Sequence, residues 1–485
     1  MNAARPEAPT DVMRAPEETR LPDGFAVRLA SDVHRSRNGG LLLGGSPMRL
    51  VRLNGRAAKL LASGGFTVSG PTSAAVARRL LDAGIVDPRP PEVQVAETTV
   101  VIPVRDRTDM VERLLTILRC DAQTADLPIV VVDDGSRDPE RLAATACQWG
   151  AWVFRHERSL GPAAARNTGL RRCGTRFVAF IDSDVVPWPG WLPTLLAQFL
   201  DPAVGLAAPR VVSLDQGGRN WLETFERTCS PLDMGTREGP VAPLTRLAYV
   251  PATTVVVRRD AVLGFAADMR VGEDVDLCMR LHEAGWRVRY VPAARVAHEH
   301  RTDLRRWMAQ RAFYGTGAAP LALRHPGQVP PLHAAVWSLA AAVLLTNRRL
   351  APLAGVLVAV AAARLARRMP DADAPVRAAT LLALGGLYGT ARQLVRAATR
   401  HYWPISAAAA LTSRRARKIL VAAAVVDGLL DHRNSRSSLH PVPHVLVRRL
   451  DDLCYGAGLW WGAVRNRTIA PLLPRLARSS RSRDQ

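Results

Sequence analysis

Between residues 98 and 300 the chain alternates two hydrophobic rhythms. TTVVIPV (98–104), PIVVVDDGS (128–136) and RFVAFIDSD (176–184) are continuous apolar runs that break off in polar residues. Such short runs, rich in β-branched residues, predict strands buried on both faces. MVERLLTILRC and PERLAATACQWG, lying between them, carry apolar positions three and four apart and predict amphipathic helices. Strands alternating with helices indicate an α/β domain with a parallel sheet, spanning 95–325. In such open sheets ligands gather at the carboxyl ends of the strands, where the polar residues stand.

The flanks have other patterns. FAVRLASDVHRSRNGGLLLGGSPMRLVRLN breaks into short strand-like runs at NGG and GGS, which are hairpin signals. GRAAKLLASG and TSAAVARRLLDAG read as two helices, the second opened by a Thr/Ser cap and closed by Gly84. Residues 21–90 are thus a small α+β module, VDPRPPEVQ is a linker, and the polar, Pro-rich residues 1–20 are expected to be disordered. Beyond 330, LHAAVWSLAAAVLLT, LAPLAGVLVAVAAARLA and AATLLALGGLYGTA are apolar but short. A spanning helix wants about 20 residues, and only the second comes near. Residues 330–485 therefore read as a helical, Ala/Arg-rich tail, either buried core or membrane-associated.

Charge placement sharpens that choice. The chain of 485 residues carries a formal +22, and from residue 301 onward 28 Lys and Arg face only 8 Asp and Glu. A basic tail could bind nucleic acid. Here the Arg clusters bracket apolar runs, as expected beside an anionic membrane surface, so a membrane partner is expected and a nucleic acid is not. The six cysteines are scattered with no CxxC pair. That favours a reducing compartment and argues against a disulfide scaffold or a cysteine-ligated metal. MNAARPEAPTDVMRAPEETR has no apolar core, so no secretory signal is expected and the cytoplasmic side of the membrane is.

Four stretches carry chemistry. Pro103 and Arg105 end the first strand, and Asp133, Asp134, Gly135 and Ser136 end the second. Carboxylates there can accept from a nucleoside, or the segment is an ordinary Asp-Gly-Ser turn. GPAAARNTGL opens a helix with Arg166 about one turn in, suited to a diphosphate, or simply exposed. Asp182 and Asp184 end the third strand and can share a divalent cation that neutralises a leaving diphosphate, or cap a turn separately. Finally, Glu273 and Asp274 begin a helix upstream of HEH (298–300). A carboxylate there can serve as general base, and His298 or His300 as a neutral nitrogen ligand. Helix capping accounts for one or two of the acids in GEDVD (272–276), not for three so tightly grouped.

In order and spacing, VVIPVRDR, VVVDDGSRD, GPAAARNTGL, FIDSDVVPWPGWL and GEDVDLCMRLHEAGW resemble the family 2 glycosyltransferases over about 200 residues. The resemblance implies a GT-A, Rossmann-like nucleotide-sugar domain and inverting transfer from a nucleoside-diphosphate sugar. It places Asp133 and Asp134 at the nucleoside and Arg166 near base or diphosphate. Asp182 and Asp184 become the Asp-x-Asp pair for Mg2+ or Mn2+, with His298 a third ligand and Asp274 the base. Trp188 would lie beside the acceptor. Processive relatives carry Gln-x-x-Arg-Trp after the base; DLRRW keeps Arg306 and Trp307 but has Asp303 for Gln, which puts long-chain processivity in doubt.

Residues 21–90 resemble the small winged-helix modules of peptide-modification pathways. The order of module, transferase domain and apolar basic tail is similar to the mycofactocin-system branch of the family. That implies β-1,4-linked glucose, from UDP-glucose, added to a peptide-derived redox cofactor or its precursor. Two other readings remain: a membrane glycosyltransferase of lipid-linked or cell-wall precursors, and a non-catalytic nucleotide-sugar-fold binding protein. DSD and GED both being intact argues against the last.

Overall fold

The computed structural model describes residues 13–17 and 20–477, apart from 216, 218–219 and 301–302. Most of the stretch expected to be disordered lies outside the described residues. Its described part is pinned instead: the Ala15 N–H donates to Ala284 O at 2.9 Å, and the Trp286 indole donates to Met13 O at 2.6 Å.

The centre is a nine-stranded mixed sheet. Its order runs Val185–Pro187, Arg287–His298, Val204–Ser213, Thr254–Arg258, Phe177–Ile181, Thr98–Val104, Ile129–Asp133, Trp152–Arg155, with Gly239–Val241 also paired to Arg287–His298. All seven residues of Thr98–Val104 and all five of Ile129–Asp133 are buried, as their unbroken apolar sequence requires. The expected parallel order holds on both sides of one reversed strand, since Val204–Ser213 and Arg287–His298 also pair parallel, with the short Val185–Pro187 and Gly239–Val241 antiparallel to the latter. Phe177–Ile181, Thr98–Val104, Ile129–Asp133 and Trp152–Arg155 run parallel, but Thr254–Arg258 is antiparallel to Phe177–Ile181. A strand buried on both faces has no alternation and so no sequence mark of its direction.

Helices Thr108–Cys120, Pro139–Gln148 and Pro162–Arg172 cover this sheet. The last approaches closely because Gly169 has no side chain: a Cβ there would sit 2.2 Å from Val101 Cγ1. The architecture is the GT-A-like α/β fold, followed by a helical C-terminal region.

The N-terminal module is α+β as expected, with sheets Gly65–Thr67/Ala26–Leu29/Val86–Arg89 and His34–Arg35/Leu41–Gly44/Arg49–Arg52 and helices Gly55–Leu60 and Pro71–Asp82. The second helix is not capped by Thr or Ser: Gly70 precedes Pro71, and Ser73 lies inside the first turn, accepting from Ser69 N at 2.9 Å. Gly84 ends it with φ +65°. Arg78 forks onto Asp201 at 2.5 and 2.7 Å, and Arg287 onto Asp82 at 2.5 and 2.7 Å, tying module to sheet domain.

The described tail is mainly helical, with one short parallel pairing of His333–Ala335 and Arg475–Ala477, and among the described residues no helix is long and apolar enough to cross a membrane. Its 25-residue helix Pro441–Arg465 crosses Leu304–Thr316 at backbone contact. A Cβ on Gly458 would lie 1.7 Å from Ala312 O, and one on Gly315 2.1 Å from Tyr455 O. Part of the tail's arginine content proves internal. Arg392, Arg400 and Arg449 pair with Asp427, Asp451 and Asp452 at 3.1–3.4 Å, while Arg364, Arg367, Arg368, Arg414, Arg415, Arg417 and Lys418 are exposed.

Candidate active site

The strand ends open onto one cavity of about 1460 Å3. Pro103 and Arg105 line it from the first strand, Asp182 and Asp184 from the third, and Arg166, Glu273, Asp274 and His298 from their own elements. Residues from 103 to 298 thus converge because parallel strands bring their carboxyl ends to one edge.

Arg166 is the hub. Its side chain is buried and donates to Asp182 at 2.8 Å and to Glu273 at 3.0 Å. Burial disfavours its charge, but Asp182 and then Glu273 hold its pKa above the ordinary guanidinium value. Burial raises the Asp182 pKa, with Arg166 opposing and Asp184 adding repulsion. Asp184 goes the other way: burial would raise it, but His298 and then Arg107 keep its carboxylate well below the usual range. His298 Nε2 stands 3.5 Å from Asp184 Oδ2, and Arg107 donates to the same oxygen. Two carboxylates one residue apart therefore have opposite tendencies, set by their partners.

The donor set fits a divalent cation. Asp184 Oδ1 is buried without a hydrogen-bond partner, and so is His298 Nδ1. Carboxylate oxygens with one imidazole suit a hard or borderline ion.

Asp274 sits in the first turn of Glu273–Glu283 behind the left-handed Gly272, φ +84°. Its Oδ1 accepts from Val275 N at 2.8 Å. Burial, and next the Glu273 charge, push its pKa up to about 7. A carboxylate poised there can take a proton near neutrality. The third acid, Asp276, points away and is fully buried on Arg280 at 2.7 Å and His325 at 3.0 Å.

The structure does not bring every expected residue to the cavity. Asp133 is buried beneath it, accepting from Ser136 N at 2.8 Å and Arg155 at 3.1 Å. Ser136 Oγ is turned to Asp106 N at 2.9 Å. Asp134 reaches the cavity but is occupied by His156, Ser159 Oγ, Leu160 N and Gly161 N at 2.7–2.9 Å. Four protein donors fill most of a carboxylate's capacity, so it fixes the loop leading into Pro162–Arg172.

Arg306 is exposed, and Asp303 is the helix N-cap, accepting from Arg306 N at 2.8 Å. Trp307 is buried with Leu222, Phe225 and Val447 and donates to Glu226 at 2.8 Å. DLRRW is thus a capped helix start. Trp188 lies outside the cavity under Arg295, 5.4 Å from its ring.

Sequence reasoning missed Arg107, although it lies in the quoted VVIPVRDR. It also missed Tyr314, Arg400 and Tyr455, which wall the cavity from the C-terminal helices. No sequence signal marks these, since they sit on helices with no motif and reach the cavity only through the packing of those helices.

The family model for Glycosyl transferase family 2 matches residues 99–263. The pre-mycofactocin glycosyltransferase of Mycobacterium tuberculosis (strain ATCC 25618 / H37Rv) is 46% identical over 472 residues, covering 94% of this chain and 99% of that protein. The chain belongs to the family 2 glycosyltransferases. The succinoglycan biosynthesis protein ExoU of Rhizobium meliloti (strain 1021), 27% identical over 257 residues, covers 45% of this glycosyltransferase and 69% of its own length. A solved mannosyltransferase of Pyrobaculum calidifontis, in complex with GDP-Man and Mn2+, matches with TM-score 0.37 and 19% identity, covering 75% of this chain and 89% of that one.

Proposed function

We propose that this glycosyltransferase moves glucose, with inversion, from UDP-glucose to the peptide-derived precursor of the redox cofactor mycofactocin, building a short β-1,4-linked oligomer. The observation that carries the reaction is one cavity holding a carboxylate with a pKa near 7, Asp274, together with the Asp182–Asp184–His298 group. The likeness to the pre-mycofactocin enzyme over nearly both full lengths supports the acceptor.

In this reading Asp274 removes the proton of the acceptor hydroxyl. The hydroxyl oxygen bonds to the anomeric carbon as the bond to the diphosphate oxygen breaks, and inversion follows from single displacement. Asp182, Asp184 and His298 would hold a divalent cation, Mg2+ or Mn2+, which supplies Lewis-acid stabilisation of the departing nucleoside diphosphate. Arg166 keeps Asp182 and Glu273 in place, and Arg105 and Arg107 offer positive charge at the donor end. The test incubates purified protein with a panel of nucleotide sugars and the peptide-derived acceptor, with mass spectrometry of products. Hexose additions from UDP-glucose alone support the reading; transfer only to a lipid-linked acceptor replaces it with the lipid-precursor alternative.

The tail favours a location on the cytoplasmic face of the membrane. Most exposed large hydrophobic side chains lie beyond residue 335, among them Leu353, Val356, Leu381, Val421 and Leu446, with the exposed Arg clusters between them. Such a surface suits peripheral binding to anionic lipid. Flotation with anionic but not zwitterionic vesicles is the expected result. The N-terminal module is assigned to holding the peptide part of the acceptor.

A further inference from the structure

Away from the catalytic carboxylates, three elements bring together three different donor side chains. Helix Trp221–Cys229 of the sheet domain ends on Cys229; tail helices Arg414–Ser435 and Pro441–Arg465 carry Asp431 and His444. Their ligand atoms all lie within 4.8 Å of one another, the one group of three His, Cys, Asp or Glu so arranged among the described residues.

The second observation is His444 itself. It is 0% exposed, and neither ring nitrogen has a hydrogen-bond partner. Its Nε2 faces Asp431 Oδ2 at 3.5 Å, beyond a good hydrogen bond. A buried imidazole with both nitrogens unsatisfied is costly and calls for a ligand. Phe225 and His432 hold the ring, with centroids at 5.4 and 5.1 Å, and His432 is itself committed to Leu439 O at 2.8 Å. The Cys229 thiol has a weak contact to Thr228 Oγ1 at 3.7 Å. Asp431 Oδ1 accepts from Arg396 at 3.0 Å, which orients the carboxylate and leaves Oδ2 toward His444 and, at 3.7 Å, Arg448. Arg448 is balanced in turn by Asp451 at 3.3 Å.

We propose that Cys229, Asp431 and His444 form a second metal site, distinct from the catalytic one and specific for a borderline transition-metal ion of the zinc class. A thiolate, an imidazole and one carboxylate oxygen are a zinc-type donor set, whereas Mg2+ takes oxygen ligands. On binding, the Cys229 proton is released to solvent, and thiolate and carboxylate together offset the ion's two charges. The ion clamps the sheet domain to two tail helices directly beside Ser230, Pro231 and Leu232, which line the catalytic cavity. The site does not depend on which sugar or acceptor the enzyme uses.

The experiment titrates the full-length, metal-free protein with Co2+ in the absence of donor. The expected result is a thiolate-to-cobalt charge-transfer absorption that saturates at one equivalent, is displaced by Zn2+, and is lost in Cys229→Ser. Asp182, Asp184 and His298 offer no sulfur and give no such band. Absence of the band at saturating Co2+, or its persistence in Cys229→Ser, overturns the proposal. If Cys229→Ser does not fold, alkylation of the wild-type protein decides: protection of Cys229 by Zn2+, read by peptide mass spectrometry, supports the site, and equal alkylation with and without Zn2+ overturns it.

Discussion

Arg166 donates to Asp182 at 2.8 Å from a fully enclosed position, and the same guanidinium reaches Glu273 at 3.0 Å, so Asp182 at one strand end is tied to the helix that carries Asp274. Arg166→Ala removes the countercharge from two carboxylates and is expected to destabilise the protein by about 3–5 kcal/mol. Arg166→Lys keeps charge without the fork and should fall between. Calorimetric unfolding of the two variants checks the order.

Asp274→Asn keeps shape but cannot accept the hydroxyl proton. Transfer should fall by about 10²- to 10⁴-fold with donor affinity nearly unchanged. Turnover near the wild-type rate, measured beside UDP-glucose binding, sinks the base assignment.

The pH dependence follows from the same group. With a folded pKa of about 7 against an ordinary 3.8, Asp274 must be ionised to act, so kcat/KM should rise with pH to a plateau above about 7. Its stabilising contribution has the opposite sign: it is fully present below 3.8 and lost as pH rises through about 7. At pH 8, Asp274→Asn should therefore melt higher than wild type, a result that a general unfolding defect cannot mimic.

Removing divalent metal with a chelator should stop transfer, and Mn2+ or Mg2+ should restore it in the wild type but not in Asp184→Ala. Full activity in metal-free enzyme would overturn the role assigned to Asp184. Asp184→Ala also leaves Arg107 without its partner, so a parallel Arg107→Ala variant separates loss of the carboxylate from loss of that pair.

Gly458→Ala tests the seam between the sheet domain and the tail. Its Cβ would fall 1.7 Å from Ala312 O, and the backbone must move apart to admit it. A lowered Tm is expected, together with weaker acceptor binding, because Tyr314 and Tyr455 wall the cavity from the two helices that would separate.

Much of this was legible in one dimension. Strand ends at Val104, Asp133 and Ile181 were readable because an apolar run that stops in polar residues needs no partner to be recognised. Asp182, Asp184, Asp274 and His298 were named from motifs whose order is itself the signal, and all four reach one cavity. Asp133, Ser136, Arg306 and Trp307 carried the same kind of motif evidence and went elsewhere. Whether a side chain at a strand end turns inward or outward depends on neighbours that spacing does not specify.

The sequence by itself determined the element order, the α/β class and the acids available for chemistry, since these depend on local periodicity and residue type. Only the tertiary structure decided the antiparallel strand Thr254–Arg258, the opposite pKa tendencies of Asp182 and Asp184, and the inward-facing arginines of the tail. It also decided the meeting of Cys229 with Asp431 and His444, roughly 200 residues away, which scattered cysteines without a CxxC pair had argued against. The reason is the same in each case: direction, burial and charge pairing are properties of contacts between distant segments, and those contacts exist only once the chain has folded.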